Sequence, residues 1–261
     1  MVNTFTSYRM ISADLTKSIE RIKSQPMVER ETEYYLENIA KVKSIDDLVS
    51  DTRLFRYAMK AHGLEDMAYA KAFMVKALEG GLDDKDSFAN KLSDKRYAEF
   101  VETFNFARHG EATTAFTRAQ QGTVDKYLRQ TLEEDAGASN EGVRLALNFA
   151  RNAADITNAY DILANTAYSK VVRTVLGLPD SFATADIDKQ AALIEKRIDL
   201  EDFKDPEALD KFLSRFTTMW ELENPTSTQS TSMAALFSQP VEYGISSDVM
   251  MTLQGLKLGG K

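Results

Sequence analysis

Ile45 to Asp66 reads IDDLVSDTRLFRYAMKAHGLED, and Ala159 to Asp180 reads AYDILANTAYSKVVRTVLGLPD. The second stretch echoes the first: Asp47, Leu48, Ala58 and Gly63 are answered by Asp161, Ile162, Val172 and Gly177. Each is an apolar run at helical spacing, stopped by Gly-Leu, because glycine takes the left-handed conformation of a helix end at little steric cost. Gly63 and Gly177 are therefore read as structural helix stops. A duplicated helical unit accounts for a scaffold without requiring a catalytic site.

Outward from this pair, helical periodicity continues. Tyr8, Ile11, Leu15, Ile19 and Ile22 form one amphipathic stripe, interrupted at Pro26. Val28, Tyr35, Ile39 and Val42 line a second helix, and Ser44 with Asp47 signals the start of a third. Further helices are expected over Asp66–Leu78, Asp86–Leu92, from Ser93 through the aromatic face of Tyr97, Phe100 and Phe104, and over Thr113–Glu134. After the small-residue joint Asp135 to Asn140 come Val143–Ile156, Tyr160–Leu176, a helix carrying Ile187 to Ile198, and one opened by Asp205-Pro206 and carrying Leu209 to Trp220. Asp94 before the first aromatic helix is matched with Asp205 before the last. No strand pattern stands out. The fold class is all-α: a multi-helix bundle of two related helical subdomains with mobile termini. The expected divisions are N-terminal amphipathic helices at 1–43, repeats at 44–135 and 140–223, and a linker with an amphipathic tail at 224–261.

Composition narrows the function classes. Of 261 residues, 43% are hydrophobic and 28% charged, an ordinary balance for a globular protein. A net charge of -8 with no Lys/Arg run argues against a nucleic-acid partner. No apolar stretch approaches the roughly 20 residues of a membrane span, and MVNTFTSYRM lacks the apolar core of a secretory signal, so synthesis in the cytoplasm is expected. The absence of cysteine removes thiol chemistry and thiolate metal sites.

The sequence carries no catalytic constellation, so no catalytic residue, cofactor or metal is expected. His62 and His109 have neither zinc-helix spacing nor a triad context. His62 reads as a positive charge complementing a helix C-terminus, and His109 as a loop residue. Asp83, Asp84 and Asp86 lack the central glycine and distal glutamate of a calcium loop. Glu133, Glu134 and Asp135 read as a solvated helix face. Gly80-Gly81 lacks a phosphate-loop context, and the aromatics at helical spacing read as core rather than as a base-stacking platform.

Gly63 to Asp66, Ser87-Phe88-Ala89-Asn90 with Leu92, Asp94 to Tyr97, GLPDSFATADIDKQ from Gly177 and LEDFKDPEALDKFLSRF from Leu200 together resemble the bacterial family called Domain of Unknown Function 1217. Members of that family occur chiefly in rhizobia and related alphaproteobacteria, often encoded beside flagellar rod genes. The resemblance implies a flagellum-associated role and carries over no catalytic or binding residue.

The expected function is that of a non-enzymatic structural or assembly protein of the flagellum, acting through helix-mediated contacts with a rod, hook or export component. The candidate partner-binding residues are Ile245, Val249, Met250, Leu253 and Leu256 in the tail, together with the N-terminal stripe. A cytoplasmic export chaperone is the alternative, and an enzyme or small-molecule binder using a groove between the halves ranks behind it. A converging polar cluster at the seam would favour that last class, and a dry apolar seam the scaffold. The homo-oligomeric state is left open.

Overall fold

Most helix starts among the described residues are set by Asn, Asp and Ser side chains that accept the first free backbone N–H groups. Asn3 opens α1 (Thr4–Ala13), Asp14 opens α2 (Leu15–Lys23), and Pro26 at its first position sets α3 (Pro26–Ile39). Ser44 forms a reciprocal capping box with Asp47 on α4 (Ile45–Ser50), and Asp51 opens α5 (Thr52–Ala61). Next come α6 (Lys71–Gly80), α7 (Lys95–Thr103) behind Asp94, α8 (Phe106–His109) and α9 (Gln121–Ser139). Asn140 opens α10 (Glu141–Asn152), Asn158 opens α11 (Ala159–Ala164), and Asn165 opens α12 (Thr166–Leu176). Asp186 caps α13 (Ile187–Arg197), and α14 (Pro206–Glu223) completes the series. This computed structural model describes residues 3–225, and these are all-α with single 3-10 turns and no strand.

Several expected boundaries move, each for a local reason. The Tyr8–Ile22 stripe is two helices, because Asp14 leaves the helical conformation and caps α2. The run from Ile45 to Ala61 breaks at Asp51, whose carboxylate takes the N–H groups of Arg53 at 3.1 Å and Leu54 at 3.0 Å. Residues 86–92 form turns rather than a helix, since Asn90 Nδ2 donates to the carbonyls of Leu82 and Asp84 and holds the chain bent. A 3-10 turn, Gly110–Ala115, occupies the start of the expected Thr113–Glu134 helix. The Asp135–Asn140 joint is no linker: α9 runs through it to Ser139, and its small residues let α10 approach until a Cβ on Gly137 would lie 3.0 Å from that of Arg144.

Two apolar clusters form within one contact unit, Val2–Glu223. The first centres on α3, α5 and α9, where the rings of Tyr35, Tyr57 and Tyr127 stack with centroids 4.5 and 3.8 Å apart. The second centres on α10, α12 and α14, where Phe149 lies 5.4 Å from Phe212 and 5.1 Å from Phe203. The N-terminal helices are not a separate region: α2 packs on α9 and α3, while α1 packs on α14 and α10. Tyr8 belongs to the second cluster, Ile22 to the first, and Ile11 touches both. The N-terminal stripe is therefore spent on the chain's own body.

Local geometry recurs at one constant spacing along the chain. Ser44 and Asn158 each accept an N–H from the aspartate three residues on, and those aspartates, Asp47 and Asp161, accept the N–H of Lys43 and Thr157 in turn, all at 3.0 Å. Gly63 and Gly177 have φ of 66° and 63°. Behind them the N–H groups of Leu64 and Leu178 reach back to the carbonyls of Met59 and Arg173 at 2.9 Å. Packing partners recur as well: α5 lies on α3, α4 and α9, and α12 on α10, α11 and α14, while α6 lies on α4 as α13 does on α11. The matching of Asp94 with Asp205 does not survive, because α14 lies on α10 and α12 as α9 lies on α3 and α5, whereas α7 packs on α6.

A Cβ added at Gly177 meets nothing within 4 Å, so Gly177→Ala loses only the left-handed preference, about 1 kcal/mol in urea unfolding. Gly142→Ala should cost more despite the helix propensity of alanine, by about 1–3 kcal/mol, because its Cβ would stand 2.6 Å from Trp220 Nε1. Equal stability of Gly142→Ala and wild type would contradict this packing.

Candidate functional site

Where the clusters meet, α9 lies along α10 and the seam is polar. Glu133 is its centre, with a side chain only 2% exposed. Its Oε1 accepts from Arg129 Nε at 3.1 Å; its Oε2 accepts from Arg151 Nη2 at 3.0 Å and Asn148 Nδ2 at 3.2 Å. The solvated face expected for Glu133 is thus corrected: Arg129 and Glu133 stand at i and i+4 on α9, but α10 covers the pair and adds Arg151. The network runs on through Gln130, which accepts from Arg151 at 3.0 Å and donates to Glu134, and Glu134 pairs with Lys60 of α5 at 2.7 Å. Farther along, Lys95 of α7 meets Asp161 of α11 at 2.5 Å. Burial alone would raise the Asp161 carboxyl, but Lys95 and the N–H and hydroxyl of Thr157 outweigh it and hold it at about 2.

His62 sits at the edge of this seam, and its expected positive charge is absent. Its ring is buried, with Nδ1 3.0 Å from the Ala58 carbonyl and Nε2 3.1 Å from Thr103 Oγ1, and Phe100 stands edge-on at 5.3 Å. Burial, reinforced by Lys126, lowers it from 6.5 to about 3, so the imidazole is neutral and structural. Lys126 is itself lowered by burial, with Arg151 adding to the effect and Glu99 opposing it. His109 ends α8, its ring 4.9 Å from that of Phe116. Asp83 pairs with Arg108, Asp86 pairs with Lys91 at 3.1 Å, and Asp84 accepts the Asp86 N–H at 2.8 Å. Among the described residues no group of three or more His, Asp or Glu is placed to hold a metal.

Two surface depressions lie away from the seam. One of about 540 Å³ runs along Thr157, Asn158 and the chain from Glu195 to Glu201. The other, about 510 Å³, lies between α12 and α13. Ile245, Val249, Met250, Leu253 and Leu256 lie outside the described residues. No helix among the described residues is long and apolar enough to cross a membrane.

The fold and seam define an all-α protein whose two apolar clusters are joined through a buried ionic network. Residues 61–209 match the family model described as protein of unknown function, DUF1217. The crystal structure of an Agrobacterium tumefaciens protein shares 57% sequence identity, covering 85% of this chain and 94% of that one, with a TM-score of 0.80. No curated protein matches the chain. The chain belongs to the DUF1217 family, as its motifs led one to expect.

Replacing Glu133 with alanine should lower stability by about 3 kcal/mol in denaturant unfolding, since two guanidinium groups would lose their buried counter-charge. Arg9→Ala, which breaks an exposed pair with Asp210, should cost less than about 1 kcal/mol. For His62 the folded state binds its proton only near pH 3, whereas the unfolded state binds it near 6.5. Stability is therefore retained above about pH 6.5 and falls below it, by up to about 1.4 kcal/mol per pH unit until about pH 3. Subtracting the profile of His62→Gln isolates this slope, and identical profiles would overturn the assignment.

Proposed function

We propose that the chain is a non-enzymatic structural or assembly protein that works through helix-mediated contacts with a protein partner. The observation that carries this reading is the closed state of the seam. Polar groups do converge there, which by composition favours a ligand-binding class, but both Glu133 oxygens are taken by the chain's own Arg129, Arg151 and Asn148. Neither surface depression includes a seam residue. A carboxylate so enclosed supports a structural role more than acid-base work, which needs a group within reach of substrate.

The flagellum is the setting this reading adopts from the family resemblance, with a rod, hook or export component as partner. The body is also read as two copies of one unit, α3, α4, α5, α6 and α9 answered by α10, α11, α12, α13 and α14, with residues 81–120 as extra material in the first. Recurrent caps and packing partners support the duplication. An experimental structure in which the two five-helix sets failed to superpose would count against it.

A deletion strain of the native host, scored for filament assembly and swimming, tests the setting, alongside mass spectrometry of proteins retained by the tagged full chain. Loss of filaments with a flagellar component retained is expected. A fully flagellated, motile strain would remove the flagellar reading. Retention of an unassembled subunit only, with none in finished filaments, would favour the export chaperone.

A further inference from the structure

In the first half, the face made by α5 and α6 is covered by the chain itself. Phe100 of α7 lies 6.3 Å from Phe55 and 5.3 Å from His62, and Phe73 of α6 lies 5.1 Å from Phe88 and 5.2 Å from Tyr97. All of these covering residues belong to the stretch 81–120 between α6 and α9. The second half has only residues 198–205 between α13 and α14, too few for a covering helix of comparable length. At the recurrent spacing, Ser169 stands where the first half has Phe55, and Arg173 where it has the fully buried Met59.

What the second half shows at this place is the depression of about 510 Å³, lined by Leu163, Thr166, Ser169, Lys170, Arg173 and Ile187 among others. Ile187 is 54% exposed at its rim. Arg173 is only 15% exposed, and its Nε is buried with no hydrogen-bond partner among the described residues. The carboxylate paired with it, Asp180 at 3.3 Å, is itself 99% exposed. Lys170 rests over the Trp220 ring at 4.6 Å. Nearby acids are engaged elsewhere: Asp186 caps α13, and Asp188 accepts from the Tyr160 hydroxyl at 2.9 Å. Among the described residues, the groove therefore joins an apolar rim to cationic side chains short of buried counter-charge.

We propose that this groove binds an amphipathic helix of a partner protein, its apolar side against Leu163 and Ile187 and an acidic side chain on Arg173. This assignment rests on reading the two halves as copies of one unit, since α7 shows what such a face accepts. Helix-in-groove recognition reads apolar anchors spaced three or four residues apart, and a carboxylate on a guanidinium adds a charge-assisted contact.

The probe is a synthetic peptide of residues 94–105, DKRYAEFVETFN, which carries Phe100 and Phe104 with Glu99 and Glu102. Saturable, weak binding to the full chain is expected by NMR or fluorescence titration, weakened about tenfold or more by Arg173→Glu, in line with the loss of a charge-assisted contact. Ile187→Asp should weaken it similarly. That substitution suits the first turn of α13, where an acid is favoured, so a folding failure is not its effect. Lys85→Glu, on an exposed loop of the first half, should leave binding unchanged. Absence of saturable binding, or equal binding by all variants, would overturn the proposal. So would dimerisation of the chain that Ile187→Asp abolishes, since that assigns the groove to a second copy. The assay uses purified chain and peptide alone, so a motile deletion strain would remove the flagellar reading and leave the binding result standing.

Discussion

One carboxylate governs how the two apolar clusters are joined. Removing Glu133 from water is costly, and the cost is offset only when Arg129 and Arg151 both reach it. Arg129 sits on the same helix, but Arg151 arrives from α10, so the two helices share one register. Small shifts along the seam would leave a buried ion without its partner, a penalty far steeper than the loss of a few apolar contacts. The dry clusters on either side can tolerate exchange of similar side chains, whereas the seam cannot. α9 thus belongs to both clusters, stacking Tyr127 on Tyr57 along one side and presenting Glu133 to α10 along the other.

Much of the fold was legible because local chemistry announces helix ends. Ser44 with Asp47, Asn140, Asp205-Pro206 and the two Gly-Leu stops are all signals that act within a few residues, and the structure places helix ends at each of them. Asp14 and Asp51 were harder, because a capping aspartate inside a periodic apolar run leaves the periodicity intact while breaking the helix. Burial of charge was less legible still. Arg129 and Glu133, four apart, have the spacing of a solvent-exposed pair, and only the arrival of α10 reverses that reading. His62 misled in the same way: its place at a helix end suggested a cation, but Phe100 and Phe104 enclose it from a helix well downstream.

The contrast between seam and groove bears on where function is to be sought in this family. Arg151 and Arg173 are both largely withdrawn from water, yet Arg151 is matched by a buried carboxylate and Arg173 by one standing in solvent. Among the described residues, charge is closely balanced in the seam and less so in the groove, and it is the groove whose local field is open to a further charge.

The N-terminal helix has a bearing on the order in which the body is completed. The Thr4 N–H reaches Glu221 at 2.9 Å, and Asn140 Nδ2 reaches the Thr4 hydroxyl at 2.9 Å. α1 thus completes its seat, on α10 and α14 together, only when α14 has emerged, while α2 can settle much earlier against α3. Until then Tyr8 has only part of its cluster, that on α10 and α12, to enter. Closure of this chain is a long-range event that local helix formation cannot hasten, and it is in that interval, before the ends of the body meet, that its apolar surface is most open to other chains.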